Sequence, residues 1–243
     1  MDGAVLILFL ATTFFGGIVA GLAGFATGLV VSGVWLHIFT PAQTAMLIVS
    51  YGLLTQTYNI WRVRHALRWR TVAPFIIGGL FGVPIGALLL GYIAPAYVRF
   101  GVGLLLVGYS TYFLARPHFK PVHAGLAGDV GVGVLNGVLG GMTGLSGPII
   151  TIWSQMRGWT KDHQRAVFQP VILSNFILTA ISLTLAGTVT ASLVKTYLYG
   201  LVPLALGLWI GLKLYGHLNE TTFRKIILVL LLLSGVVLIV PFH

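Results

Sequence analysis

An octad of mostly small residues occurs twice in this chain. Gly21-Leu22-Ala23-Gly24-Phe25-Ala26-Thr27-Gly28 returns as Gly137-Val138-Leu139-Gly140-Gly141-Met142-Thr143-Gly144, identical at four of the eight positions and offset by 116. The second copy runs on into Ser146, Gly147 and Pro148. Glycine lets a chain turn sharply and lets a ligand approach the main chain. A helix that starts after such a break presents unpaired N–H groups, and these favour anions. Thr27, Thr143 and Ser146 supply hydroxyls that cap those helices or donate to a ligand, and Pro148 suits a first helical turn. The candidate binding backbone is therefore Gly24, Phe25, Ala26, Thr27 and Gly28, with Gly141, Met142, Thr143, Gly144, Ser146 and Gly147. Two such helix starts can face one small anion without any buried lysine or arginine. The competing use of these glycines is close helix packing, as in small-xxx-small interfaces.

Two apolar stretches carry amides. Gln56 lies in one, with Ser50, Thr55 and Asn59; Gln169 and Asn175 lie in the other, with Pro170 and Ser174. Amides in hydrocarbon need partners, so they face the protein interior or a polar cavity. Either Gln56, Gln169 and Asn175 line a path through the protein, or they tie helices together. Asp129 is the one acidic residue placed within an apolar stretch, near its start, and reads as a snorkelling or structural carboxylate more than a proton relay. No zinc spacing and no nucleophile–base pair is visible, so the sequence offers nothing for catalysis, metal or cofactor.

The elements that position these residues belong in a membrane. Apolar residues make up 57% of the 243-residue chain and charged residues 7%, against about a quarter charged in soluble domains. The net charge of +10 then reflects topology, with Lys and Arg kept on the cytoplasmic side, and not nucleic-acid binding. Cysteine is absent, which removes disulfides and thiol chemistry. The apolar N-terminus follows Asp2 and has no basic leader, so it reads as a retained membrane segment.

Eight apolar segments run over 4–38, 42–61, 71–92, 97–115, 124–156, 166–186, 194–215 and 222–241. Six have the length of one span, about 20 residues. The first and fifth are too long for a single helix and hold the glycine octads, so each is expected to fold as a hairpin with its tip at depth. Charge placement favours this. With hairpins, the loop bearing Arg62, Arg64, Arg68 and Arg70 shares a face with Arg116, Lys120, Arg157, Lys161, Arg165, Lys213, Arg224 and Lys225, leaving only Arg99 and Lys195 opposite. The expected fold is an all-α integral membrane protein, one domain over 1–243. Two inverted-topology repeats, 4–115 and 124–241, each hold a Gly-broken helical hairpin plus three transmembrane helices. Gly82, Gly86, Gly91 and Arg99 reappear as Gly207, Gly211, Gly216 and Arg224 at an offset of 125, and such halves point to a secondary transporter. Both termini then face outward from an inner (plasma) membrane.

The length, the two halves, the octads and the arginine-rich loop resemble the TauE/SafE sulfite exporter family, also called the toluene-sulfonate uptake permeases, over about 10–240. The resemblance implies transport of sulfite, sulfoacetate or related organosulfonates. Phe25 and Ala26 stand where the second half has Gly141 and Met142, so Phe25 is placed to narrow one side. The scarcity of carboxylates at depth favours export. An anion leaving a cell with a negative interior gains about 2.3 kcal/mol per charge per 100 mV and needs no coupling ion. The rival readings are a channel-like anion path, an importer, a membrane enzyme and a structural membrane factor. The expected partners are a small anion, the bilayer and, as an open possibility, further copies of the chain.

Overall fold

A computed structural model describes residues 2–25, 27–35, 38–89, 95–115, 121–122, 124–185 and 187–239. Among them the chain is helical throughout: α1 (Gly3–Ala23), α2 (Thr27–Trp35), α3 (Pro41–Val63), a 3₁₀ turn (Arg64–Ala66), α4 (Trp69–Leu89), α5 (Pro95–Ala115), α6 (Leu126–Thr143), α7 (Pro148–Met156), α8 (Lys161–Leu185), α9 (Ala191–His217) and α10 (Glu220–Ile239). Each apolar segment becomes one helix, except the first and fifth, which become two. Arg116 and Lys120 of the topology argument lie outside the described residues, as does the side chain of Arg99.

Among the described residues, four helices are long and apolar enough to cross a membrane: α1, residues 69–86 of α4, α8 and α9. Their surfaces agree. Phe15, Phe81, Leu88, Leu185, Val202 and Trp209 are exposed, whereas Gln56, Asn59, Asn136, Arg165, Gln169 and Asn175 are buried. An apolar exterior over a polar interior is what lipid selects, because hydrocarbon offers no partner for a polar group.

The two hairpins are unequal, which the sequence did not suggest. Their first arms have 21 and 18 residues and their second arms 9 each. Nine residues rise about 13.5 Å, less than half of a hydrocarbon core of about 30 Å. Position is set by the αL glycine that ends the first arm: Gly24 (φ 87°) and Gly144 (φ 71°) close α1 and α6, a conformation that costs a side-chain-bearing residue energy.

α1 packs along α9, α4 along α6, α5 along α10 and α3 against α8. The first two crossings are built on glycine. Gly17 abuts Leu204, Gly207 and Leu208, and Gly21 abuts Leu208, Gly211 and Leu212. Contacts therefore advance together, and α1 and α9 run parallel. Gly78 meets Val130, Gly133 and Val134, while Gly82 meets Val134 and Gly137, so α4 and α6 also run parallel. Gly21 and Gly137, which open the octads, thus serve backbone-to-backbone packing. The first break opens at Gly24, inside its octad, whereas the second octad is helical as far as Thr143 and its break runs from Gly144 to Gly147.

Candidate functional site

The first break is held by side chains from α3 and α8. The last carbonyls of a helix have no partner within it, and in an apolar setting each unpaired one is costly. Asn59 Nδ2 donates to Ala20 O (3.1 Å), Arg165 Nη1 to Gly21 O (2.9 Å) and Gln56 Nε2 to Gly24 O (2.7 Å). The polar residues of the two amide-bearing segments therefore end α1. Among the described residues, the buried Gln56 Oε1, Asn59 Oδ1 and Asn175 Oδ1 have no hydrogen-bond partner. With its amide oxygen facing the guanidinium, Gln169 accepts from Arg165 Nε (2.9 Å) and Nη2 (3.0 Å).

The second break is capped differently. α7 begins at Pro148, in the first-turn position expected of it, after Gly147 at φ 138°. Ser146 precedes the cap position and turns away from α7, so it does not cap that helix: its Oγ accepts from Asn175 Nδ2 (2.7 Å) and Asn136 Nδ2 (3.3 Å). The cap is Asn136 of α6, whose Oδ1 accepts from the N–H groups of Gly147 (3.2 Å) and Ile150 (3.5 Å). Asn136 is fully buried, and at the offset of 116 its counterpart is Ala20, which has no such group. Asn136→Ala is expected to destabilise the protein by about 2–3 kcal/mol, from a lost cap and an orphaned Ser146 neighbour. Thermal unfolding in detergent checks this.

The two breaks meet. Phe25, Gly28, Ile48, Gly144, Leu145, Ser146, Pro148 and Phe176 surround a space of about 10 Å³ between α3 and α8, at the lower limit for one water. A Cβ on Gly147 would lie 3.3 Å from that of Phe25, and one on Gly28 would lie 3.4 Å from Leu145. Phe25 also packs edge-on against Phe168 at 6.0 Å. Gln56, Gln169 and Asn175 stand behind this space and bond to the breaks or to Arg165. Thr27 is the first residue of α2 and buried, and Gly141 lies in the last turn of α6. Ala26 and the side chains of Met142 and Thr143 lie outside the described residues.

A larger cavity, of about 430 Å³, lies at the arginine-loop end of the bundle. It is lined by Trp61, Arg62, Val63, Arg64, His65, Asp162, Arg165, Leu212, Tyr215 and Gly216. Arg165 corrects an expectation: α8 starts at Lys161, so this arginine lies in the helix and not in a loop, and it is 1% exposed. A buried cation therefore stands beside the first break. Its spacing carried the signal, since Asp162, Arg165 and Gln169 share one helical face at i, i+3 and i+7. Tyr215 faces the Arg165 guanidinium at 4.1 Å from its ring centroid and donates its hydroxyl to Asp162.

Asp129 behaves as a structural carboxylate. It is 8% exposed, accepts from Trp153 Nε1 at 2.9 Å and pairs with Arg157 at 3.5 Å. It thereby ties α6 to α7. Asp129→Asn keeps an acceptor for Trp153 but leaves Arg157 without this counter-charge in a largely buried setting, and is expected to lower the unfolding temperature in detergent by several degrees.

These features define an all-helical, multi-pass membrane protein with two glycine-broken hairpins meeting inside it. The family model described as sulfite exporter TauE/SafE matches residues 9–238, and the chain belongs to that family. It is a family of transporters, which is not an enzyme class, and it implies a small anionic substrate. No curated protein and no solved structure matches the chain.

Proposed function

We propose that this protein exports a small sulfur-containing oxyanion, sulfite or a short organosulfonate, from the cytoplasm, bound where the two breaks meet. The observation that carries the proposal is that contact of the two glycine-broken tips between α3 and α8, in a chain of this family.

The two halves are inverted repeats in this reading. Exchanging α1 with α6, α4 with α9 and α3 with α8 turns the α1–α9 crossing into the α6–α4 crossing and returns the α3–α8 contact to itself. Gly17 against Gly207 and Gly137 against Gly82 are then the same contact seen twice. Parallel α1 and α9 require the hairpin and the penultimate helix to enter from one face, as opposite insertion of the halves demands. The arginine-rich end is cytoplasmic by the positive-inside rule, and both termini face outward from the inner membrane. Rocking of one half against the other opens the tip junction to each side in turn.

An anion at the junction meets the start of α2 and the backbone of Gly144 to Gly147. The N–H groups of Gly147 and Ile150 already bond Asn136, so the first tip contributes more free dipole than the second. The membrane potential drives export at about 2.3 kcal/mol per charge per 100 mV. Counterflow tests the carrier reading: vesicles preloaded with unlabelled sulfite should transiently accumulate labelled sulfite above equilibrium. Flux that never saturates and shows no counterflow would contradict a carrier and favour a channel-like path.

A further inference from the structure

We infer that the cavity beneath Arg165 is a second oxyanion site, the cytoplasmic station at which the anion loads before it reaches the tips. The inference rests on the transport reading and adds to it a residue and a compartment.

Arg165 is buried, and no carboxylate of the described residues lies within ion-pair distance of it. Burying a charge without a counter-charge is costly. Gly21 O, the Gln169 amide and the Tyr215 ring, which touch the guanidinium, are neutral, and Asp162 acts on it only from beyond ion-pair distance. The cavity against this guanidinium also carries Arg62, Arg64 and His65, opposed by a single acid, Asp162. That acid is already engaged by the Tyr215 hydroxyl and stands 3.7 Å from His65. A cleft lined by one sign of charge raises the local concentration of the opposite ion. A guanidinium also matches an oxyanion's paired oxygens. At about 430 Å³ the cavity has ample room for sulfite or a short sulfonate with its water.

The position links the cavity to the hairpin. The guanidinium that would receive the anion also holds Gly21 O, three residues before the αL glycine that ends α1. An anion drawing on the same N–H groups weakens the hold of α8 on the end of α1. Loading at Arg165 is thereby connected to movement of the first tip.

The test uses the purified full chain, with sulfite as probe against chloride at equal ionic strength. Sulfite should bind, by calorimetry, about tenfold or more weakly in Arg165→Gln and severalfold more weakly in Arg62→Gln, tenfold being one lost charge-assisted contact. Because Arg165 also braces α1, a second measurement leaves it intact. The chain has no cysteine, so His65→Cys gives a single thiol on the cavity wall. Methanesulfonate, which does not attack thiosulfonates, should slow its labelling by a cationic thiosulfonate. Unslowed labelling together with unchanged sulfite affinity in Arg62→Gln overturns the assignment, even where wild-type sulfite flux stands. Protection by phosphatidylglycerol but not by methanesulfonate also overturns it, assigning the cavity to a lipid headgroup. Intact binding and protection without sulfite flux supports the site and counts against the transport reading alone.

Discussion

Gly21→Val and Gly137→Val should leave no stably folded protein in the membrane. A side chain at either position must displace backbone and not a neighbouring rotamer: Gly21 faces Leu208, Gly211 and Leu212 of α9, and Gly137 faces Gly79 and Val83 of α4. Overpacking a tight contact costs about 1–3 kcal/mol even where side chains can adjust. Backbone on both sides cannot adjust without separating the helices. Each crossing joins one half of the chain to the other, so its loss is global. Gly101→Ala and Gly216→Ala, which meet nothing within 4 Å, serve as controls and should fold normally. The yield of monodisperse protein in mild detergent, with its unfolding temperature, decides the matter.

Gly28→Val should do the opposite: fold, but fail to transport. Gly28 is helical, so a side chain strains no backbone there. Its Cβ would meet the Cγ2 methyl of Ile48 at 3.0 Å and the Cδ2 methyl of Leu145 at 3.4 Å, side-chain contacts that a shift of a few tenths of an ångström relieves. The branched side chain then fills the space of about 10 Å³ between the tips. Sulfite flux is expected to fall at least about tenfold, equivalent to about 1.4 kcal/mol, while the unfolding temperature stays within a few degrees. Wild-type flux in this variant would remove the tip junction from the path.

The fold was largely legible because membrane spans announce themselves. Apolar length set the eight segments, and octads inside two overlong ones placed the breaks near Gly24 and Gly144. What escaped notice depended on contacts across the chain. Whether Gly21 packs or binds is decided by α9, nearly two hundred residues away in sequence. Asn136 caps α7 only because α6 and α7 fold back on each other. Counting arginines by loop assigned Arg165 to the membrane face, because segment boundaries follow hydropathy. α8 runs five residues further, through Lys161. The amides at 56, 169 and 175 were rightly placed inside the protein. Their bonds to the breaks, to Arg165 and to Ser146 arise only from three-dimensional placement.

Potential-driven sulfite efflux is the most direct test of the account. Proteoliposomes loaded with sulfite and potassium are treated with valinomycin to clamp the potential, with no proton or sodium gradient. The account predicts saturable efflux that rises as the interior is made more negative, and that is lost in Gly28→Val. Efflux no faster than from protein-free liposomes at every potential, or flux that requires a proton or sodium gradient, would contradict an uncoupled sulfite exporter.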